Sequence, residues 1–350
     1  MKKIKLSMLF LVFCSMLLAA EVIPMPDLMG KPDSITLFKG RLYLTDRGTV
    51  SIYSIGDFKL IKTFGKAGEG PGEFKISNID KIGLRITVSD DYILVNSISK
   101  LSLFTREGRF IKEKRVTLNS STQQFKPFGK KYVGFLRASE NDVSYYFVHF
   151  YDPETLQKEK KIHSLKFYTE GNKLDRMRIA LLLKNDTRRG PIFHVYNDKL
   201  FVEGEEGRIC VYDREGKQLY SINVHDYEKL EIPESFKEKV MKYLKKRLPT
   251  AFINVKRNGR FPRYFPLRSF LVDDGKVYVQ TFKSEAGKSE FYIFDLKGKL
   301  LSKVMVPFME SEFLIGYPFT IGNNKFYQLV ENEDDEEWEL HINEVSKSSG

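Results

Sequence analysis

One pattern recurs six times along the chain, and it constrains the fold more than any other feature. A turn rich in Gly, Asp, Asn or Lys is followed by a short run of alternating apolar residues, beginning at Gly40, Asp91, Lys130, Asp198, Gly275 and Asn324. After several of these come a second alternating run, near Leu101, Ile209 and Phe291, and a third beyond a tight turn at Gly108, Gly216 and Gly298. Glycine at that offset suits the left-handed backbone that closes a hairpin. Period-two strands in a repeat of about 40–50 residues describe small four-stranded sheets that cannot bury both faces alone. Closing six of them into a ring does so. The expected fold class is all-β, a six-bladed β-propeller.

The ends of the chain predict how the ring closes. The last repeat offers three strands, over 317–322, 325–331 and 338–345. Residues 21–28 lie outside the first blade and carry Pro24 and Pro26. An edge strand tolerates proline, so an N-terminal strand is expected on the outside of blade six.

Residues 1–20 have the form of an export leader. Lys2, Lys3 and Lys5 precede an apolar run of 15 residues ending at Ala20, shorter than the roughly 20 a spanning helix needs. An uncleaved anchor is the lesser alternative. A lipoprotein at Cys14 is another, weakened by Phe13 in front of that cysteine. The expected organisation is a signal peptide over 1–20, one propeller domain over 21–346 and a tail over 347–350. The product is then periplasmic or secreted, with nucleic acid an unlikely partner. Loss of Cys14 leaves Cys210 alone, which excludes an intrachain disulfide and any cysteine-based metal site.

Between blades one and two, Phe64, Gly65, Gly68, Gly70, Pro71, Gly72 and Phe74 form a glycine-rich connector that leads into a strand. A phosphate loop would open a helix and carry Lys-Ser/Thr, so a connector is the better reading. The stretch resembles the inter-blade signature of NHL-repeat propellers of the secreted bacterial type. The resemblance implies a ring with a ligand or partner site on one face. It implies no single activity, because such rings host lactonases, lyases, dehydrogenases and binding proteins.

The repeat breaks at two long intervals, with insertions at about 166–189 and 226–266. Both join the outer strand of one blade to the inner strand of the next, so both should emerge on the same face. Within the second, Phe236, Val240, Leu244 and Leu248 recur every four residues and predict a helix over 233–248 between blades four and five, stopped by Pro249. Docking on the propeller rim is the expected use of that stripe, with membrane or partner contact as the alternative. The net charge of +11 becomes +8 once the three leader lysines are removed. Residues 234–268 alone hold eleven Lys and Arg against two Glu, a net +9. The basic character therefore belongs to one insertion.

Arg257, Arg260, Arg263, Tyr264 and Arg268, with Arg188 and Arg189 and the inner-strand His194, form the candidate ligand-binding set. Arginine beside aromatics suits a carboxylate, phosphate or sulfate. The alternative is a solvated lysine face whose arginines pair with acids such as Glu203, Glu205, Glu206 or the run from Glu331 to Glu337. That run lacks the spaced glycine of a calcium loop, so an exposed hairpin tip is expected.

Catalysis finds little support. Aligning the third strands puts Ser102, His149, Cys210, Tyr292 and His341 in one repeat column, on different blades and apart, hence structural. His163 and His225 are expected to face solvent. The inner-strand pairs beginning at Ile35, Ile86, Phe125, Phe193, Phe270 and Phe319 hold no carboxylates for calcium. No cofactor, metal or catalytic residue is assigned. The expected function is a monomeric binding module for an anionic ligand, a glycan, a lipid head group or an envelope protein, with peripheral contact to a membrane surface also open. A channel-based hydrolase or lyase using His194, lactonase-like or metal-dependent, is the runner-up. A purely structural envelope protein is the third reading.

Overall fold

The structure is a computed structural model that describes residues 21–345 apart from 29, 47, 77–82, 117–123, 142, 167–190, 248, 259–266, 311–316 and 333. The expected leader lies outside the described residues. Alternating side chains and turn residues produce 24 strands in six four-stranded antiparallel sheets. Blade one comprises β2 (Pro32–Phe38), β3 (Arg41–Asp46), β4 (Thr49–Ser54) and β5 (Leu60–Phe64). Blade two comprises β6 (Arg85–Val88), β7 (Ile93–Ser97), β8 (Lys100–Phe104) and β9 (Phe110–Arg115). Blade three has β10 (Phe125–Phe128), β11 (Lys131–Glu140), β12 (Val143–Tyr151) and β13 (Lys158–Lys166), and blade four β14 (Phe193–Tyr196), β15 (Lys199–Glu203), β16 (Arg208–Tyr212) and β17 (Gln218–Asn223). Blade five has β18 (Ser269–Asp273), β19 (Lys276–Glu285), β20 (Lys288–Asp295) and β21 (Leu300–Pro307). Blade six has β22 (Phe319–Gly322), β23 (Lys325–Asn332) and β24 (Glu337–Glu344), and its fourth strand is β1 (Glu21–Pro24).

The ring closes as the chain ends predict. β1 runs antiparallel to β24, with Val22 opposite His341 and Pro24 opposite Glu339. Pro24 sits on the outer edge, where its missing N–H costs no ladder bond. The inner strands β22 and β2 meet across the seam, as β2 meets β6.

Both sheet faces are apolar because each is shared with a neighbour. Six buried clusters each draw on two adjacent blades, the seam between blades six and one included. The inner strands also accept and make bonds across blades, from Asn96 on the second strand of blade two and from Lys126 on the inner strand of blade three. Asn96 Nδ2 donates to the Phe125 carbonyl (3.1 Å) and Asn96 Oδ1 accepts from the Phe125 N–H (2.7 Å). Lys126 Nζ donates to the Phe193 carbonyl (2.6 Å) above that ring.

The repeat column holds in the strand register. Ser102, His149, Cys210, Tyr292 and His341 face Val95, Gly134, Val202, Val279 and Gln328 of their second strands. Those five pair in turn with Ile86, Phe125, Phe193, Phe270 and Phe319 of the inner strands. Ser51 completes the column in blade one, through Leu44 and Ile35.

The glycine-rich stretch is a packed connector. Phe74 is fully buried, its ring 5.5 Å from that of Phe104 and inclined to it at 63°. Gly65, at φ +78°, lies so close to Phe74 that a Cβ there would sit 2.1 Å from the ring, so no other residue fits. Lys100, 6% exposed, holds the loop from below, its Nζ on the Gly70 carbonyl (2.7 Å) and the Glu113 carboxylate (3.0 Å).

Candidate functional site

In an antiparallel meander the turn between second and third strands and the link to the next blade emerge at the same end of the ring. That end carries the 224–268 insertion, the acidic turn between β23 and β24, and the extended tip of β19 and β20. The acidic residues form an exposed hairpin tip, with Asn332 Nδ2 bonded to Asp335 (3.1 Å) and Glu339 (2.9 Å).

Among its described residues the insertion holds two α-helices where the apolar spacing predicts one. α1 spans Glu234–Arg247 and α2 spans Pro249–Asn258. Pro249 opens α2, where sequence reasoning made it a stop. Proline's fixed φ and missing N–H suit the first helical position as well as a termination. Val240, Leu244, Val255 and Ile232 form a buried cluster joined by Phe236, Phe252 and Phe282. Phe236 meets Phe282 of β19 edge to face, their centroids 6.3 Å apart. The apolar stripe is thus occupied by the partner helix and the blade-five tip.

Docking consumes the apolar face and leaves the basic one in solvent. Lys239, Lys242, Lys245, Lys246 and Lys256 are all exposed. Among the described residues no ion pair involves any of them, whereas Lys237 pairs with Glu234 at 2.7 Å. At 100° per residue, Lys242 lies opposite the Val240–Leu244 stripe, flanked by Lys239, Lys245 and Lys246. Ile253 on α2 is 49% exposed, one turn before Lys256.

Where the insertion leaves and rejoins the ring, polar contacts pin it to blade five. Tyr292 donates its hydroxyl proton to Glu228, and Lys303 Nζ lies 3.1 Å from that hydroxyl and 3.6 Å from the Glu228 carboxylate. The Tyr292 hydrogen bond holds Glu228 below the usual carboxylate range, with Lys283 and Lys303 adding to it and burial opposing. Burial first, then Glu228, pushes the Tyr292 phenol well up. Glu290, 4% exposed, accepts from Thr281 (3.0 Å) and lies 3.6 Å from Lys283. Arg268, 3% exposed, is bonded to Glu310 and faces the rings of Phe282 (5.2 Å) and Phe308 (5.7 Å). Of these groups Glu228, Arg268, Thr281 and Tyr292 line, with His225, a cavity of about 30 Å³. It has room for about two water molecules and none for a larger ligand.

The remaining candidates are placed as follows. His194 lies on β14, half-buried, 5.2 Å from the Phe270 ring. Arg257 falls within α2, with its side chain outside the described residues, as are Arg188, Arg189, Arg260, Arg263 and Tyr264 entirely. Two histidines expected in solvent are half-buried. His163 bonds through Nδ1 to the Tyr212 hydroxyl of the next blade (2.7 Å), and His225 packs against Gly207. Burial keeps His149 and His163 below the ordinary imidazole value, so both are neutral at pH 7. Among the described residues, no three His, Cys, Asp or Glu side chains are gathered as a metal ion would require, and no helix is long and apolar enough to cross a membrane.

Sequence reasoning missed α2, exposed Ile253 and the Glu228–Tyr292–Lys303 contact. The i, i+3 pair Phe252 and Val255 after Pro249 was a usable sign of α2; nothing local marks the Glu228 contact, whose partners lie 64 and 75 residues on.

No family model matches the sequence, and no curated protein does. Among solved structures the chain is similar to the computationally designed Ika8 protein, with 9% identity and a TM-score of 0.40 over 90% of this chain and 96% of that one. It is also similar to Raptor from Chaetomium thermophilum, with 10% identity and a TM-score of 0.44 over 93% of this chain and 29% of that one. Likenesses this distant carry no argument about function, and the six-bladed ring stands on its own strand pairing.

Proposed function

We propose that the protein is an exported binding module of the NHL-like propeller type, which holds an anionic ligand or surface through the basic helical insertion between blades four and five. One observation carries this reading: five exposed lysines without an ion-pair partner among the described residues, on helices whose apolar side is already docked. Unneutralised charge of one sign on a rigid scaffold creates a local potential that attracts the opposite sign. Arg257, Arg260, Arg263 and Tyr264 follow in the same segment of sequence and are proposed as part of this surface, as are Arg188 and Arg189 of the preceding insertion. Arg268, spent on Glu310, serves as the post on which the insertion stands. The packing of His194 against Phe270 favours a structural role for that residue over one in channel-based hydrolysis. The protein is proposed to act as a monomer in the periplasm or outside the cell, without a cofactor.

The test is retention on an anionic matrix such as heparin. The wild type should be held at 0.1 M salt and released as the screening length shortens from about 10 Å towards 3 Å at 1 M. Lys239→Glu/Lys242→Glu/Lys246→Glu should elute with the void. Equal retention of the two proteins would reject the proposal.

A further inference from the structure

The surface has a second property that a soluble polyanion would not use. Ile253, about half exposed, stands on the outer side of α2 with Lys256 one turn away, while Phe252 and Val255 face the cluster shared with α1. A polyanion gains nothing from an apolar side chain among lysines. A bilayer surface does, because its head groups take the lysines and its acyl boundary takes the isoleucine. The docked stripe of Phe236, Val240 and Leu244 is unavailable for insertion, so any such contact is shallow and chiefly electrostatic.

The rest of the same end of the ring fixes an orientation. Asp334, Asp335, Glu336 and Glu337 project from the blade-six tip, exposed and free of ion pairs with Lys or Arg among the described residues. Those four carboxylates are repelled by the surface that attracts the helices. On an anionic surface the ring would then tilt, with blades four and five down and blade six raised.

We infer that α1 and α2 form a peripheral docking surface for an anionic lipid bilayer, read by Lys239, Lys242, Lys245, Lys246 and Lys256 and anchored by Ile253. The inference rests on the anionic-surface reading above and narrows it to one class of ligand.

Co-sedimentation with phosphatidylglycerol/phosphatidylcholine vesicles, against phosphatidylcholine alone, tests it beside heparin retention. All variants come from one preparation scheme, so any contribution of residues 1–20 is common to them. The protein should sediment with the anionic vesicles alone. The triple lysine reversal should weaken this by at least about 100-fold, and the uncharged Ile253→Ser by roughly tenfold with heparin retention unchanged. Asp334→Asn/Asp335→Asn/Glu336→Gln/Glu337→Gln should tighten vesicle binding. Lysine-dependent heparin retention without vesicle binding would overturn the bilayer assignment and leave the anionic reading standing. So would an Ile253→Ser variant that lost heparin and vesicles equally. Failure on both supports would overturn the two together.

Discussion

The link from blade one to blade two and the link from blade four to blade five occupy equivalent places in the ring, yet they spend their residues differently. In the first, Phe74 fills the space between two blades and the cations of its described residues, with Lys100 of β8 beneath it, are matched. Lys66 lies 3.0 Å from Glu73, Lys75 2.7 Å from Glu69 and Lys100 3.0 Å from Glu113. In the second, charge is matched at the base, at Glu228 and Arg268, and at Lys237 with Glu234, while Lys239, Lys242, Lys245, Lys246 and Lys256 have no ion pair among the described residues. A connector that only joins blades satisfies its charges locally. One that leaves a row of like charge in water fits the proposed contact with something outside the chain.

Phe74→Ala should give the largest effect on the first side of this contrast. Emptying a fully buried aromatic site costs about 3–5 kcal/mol, read as a drop in the denaturant midpoint. A change below 1 kcal/mol would mean that the glycine-rich link is dispensable. Arg268→Ala should cost about 2 kcal/mol, because it empties a buried site between the Phe282 and Phe308 rings and removes the partner of the solvent-accessible Glu310. It should also speed hydrogen exchange in α1 and α2 while leaving blades one to three unaffected. A purely global loss would contradict the role of Arg268 as the anchor of the insertion.

The smallest effect is a dependence on pH. Glu228 is held below its unfolded value, so its contribution is present above the ordinary carboxylate range of about 4.3 and fades as pH falls through the lower folded value. Exchange in the first turn after blade four should be steady from pH 5 to 8 and rise below about pH 4. Glu228→Gln should remove most of that acid-dependent rise. An unchanged acid response in that variant would assign the titration elsewhere.

What the sequence showed and what it hid divide along physical lines. Period-two alternation and hairpin glycines act within a few residues, so the blade count, the closing strand and the column from Ser102 to His341 were readable in advance. Contacts between blades are not periodic. Tyr212 reaches His163 across 49 residues and Glu310 reaches Arg268 across 42, which is why one histidine was expected in solvent and one arginine in a ligand site. Pro249 misled for a different reason, since the same ring geometry ends one helix and begins another. The concentration of charge in 234–268 was plain in the sequence; which of those cations remain unpaired was visible only in the fold.

The central contrast is tested most directly by measuring one protein twice. Lys239→Glu/Lys242→Glu/Lys246→Glu should unfold within about 0.5 kcal/mol of the wild type, as exposed unpaired side chains do, and should lose all retention on heparin at 0.1 M salt. Retention undiminished at wild-type stability would show that the lysines face only water.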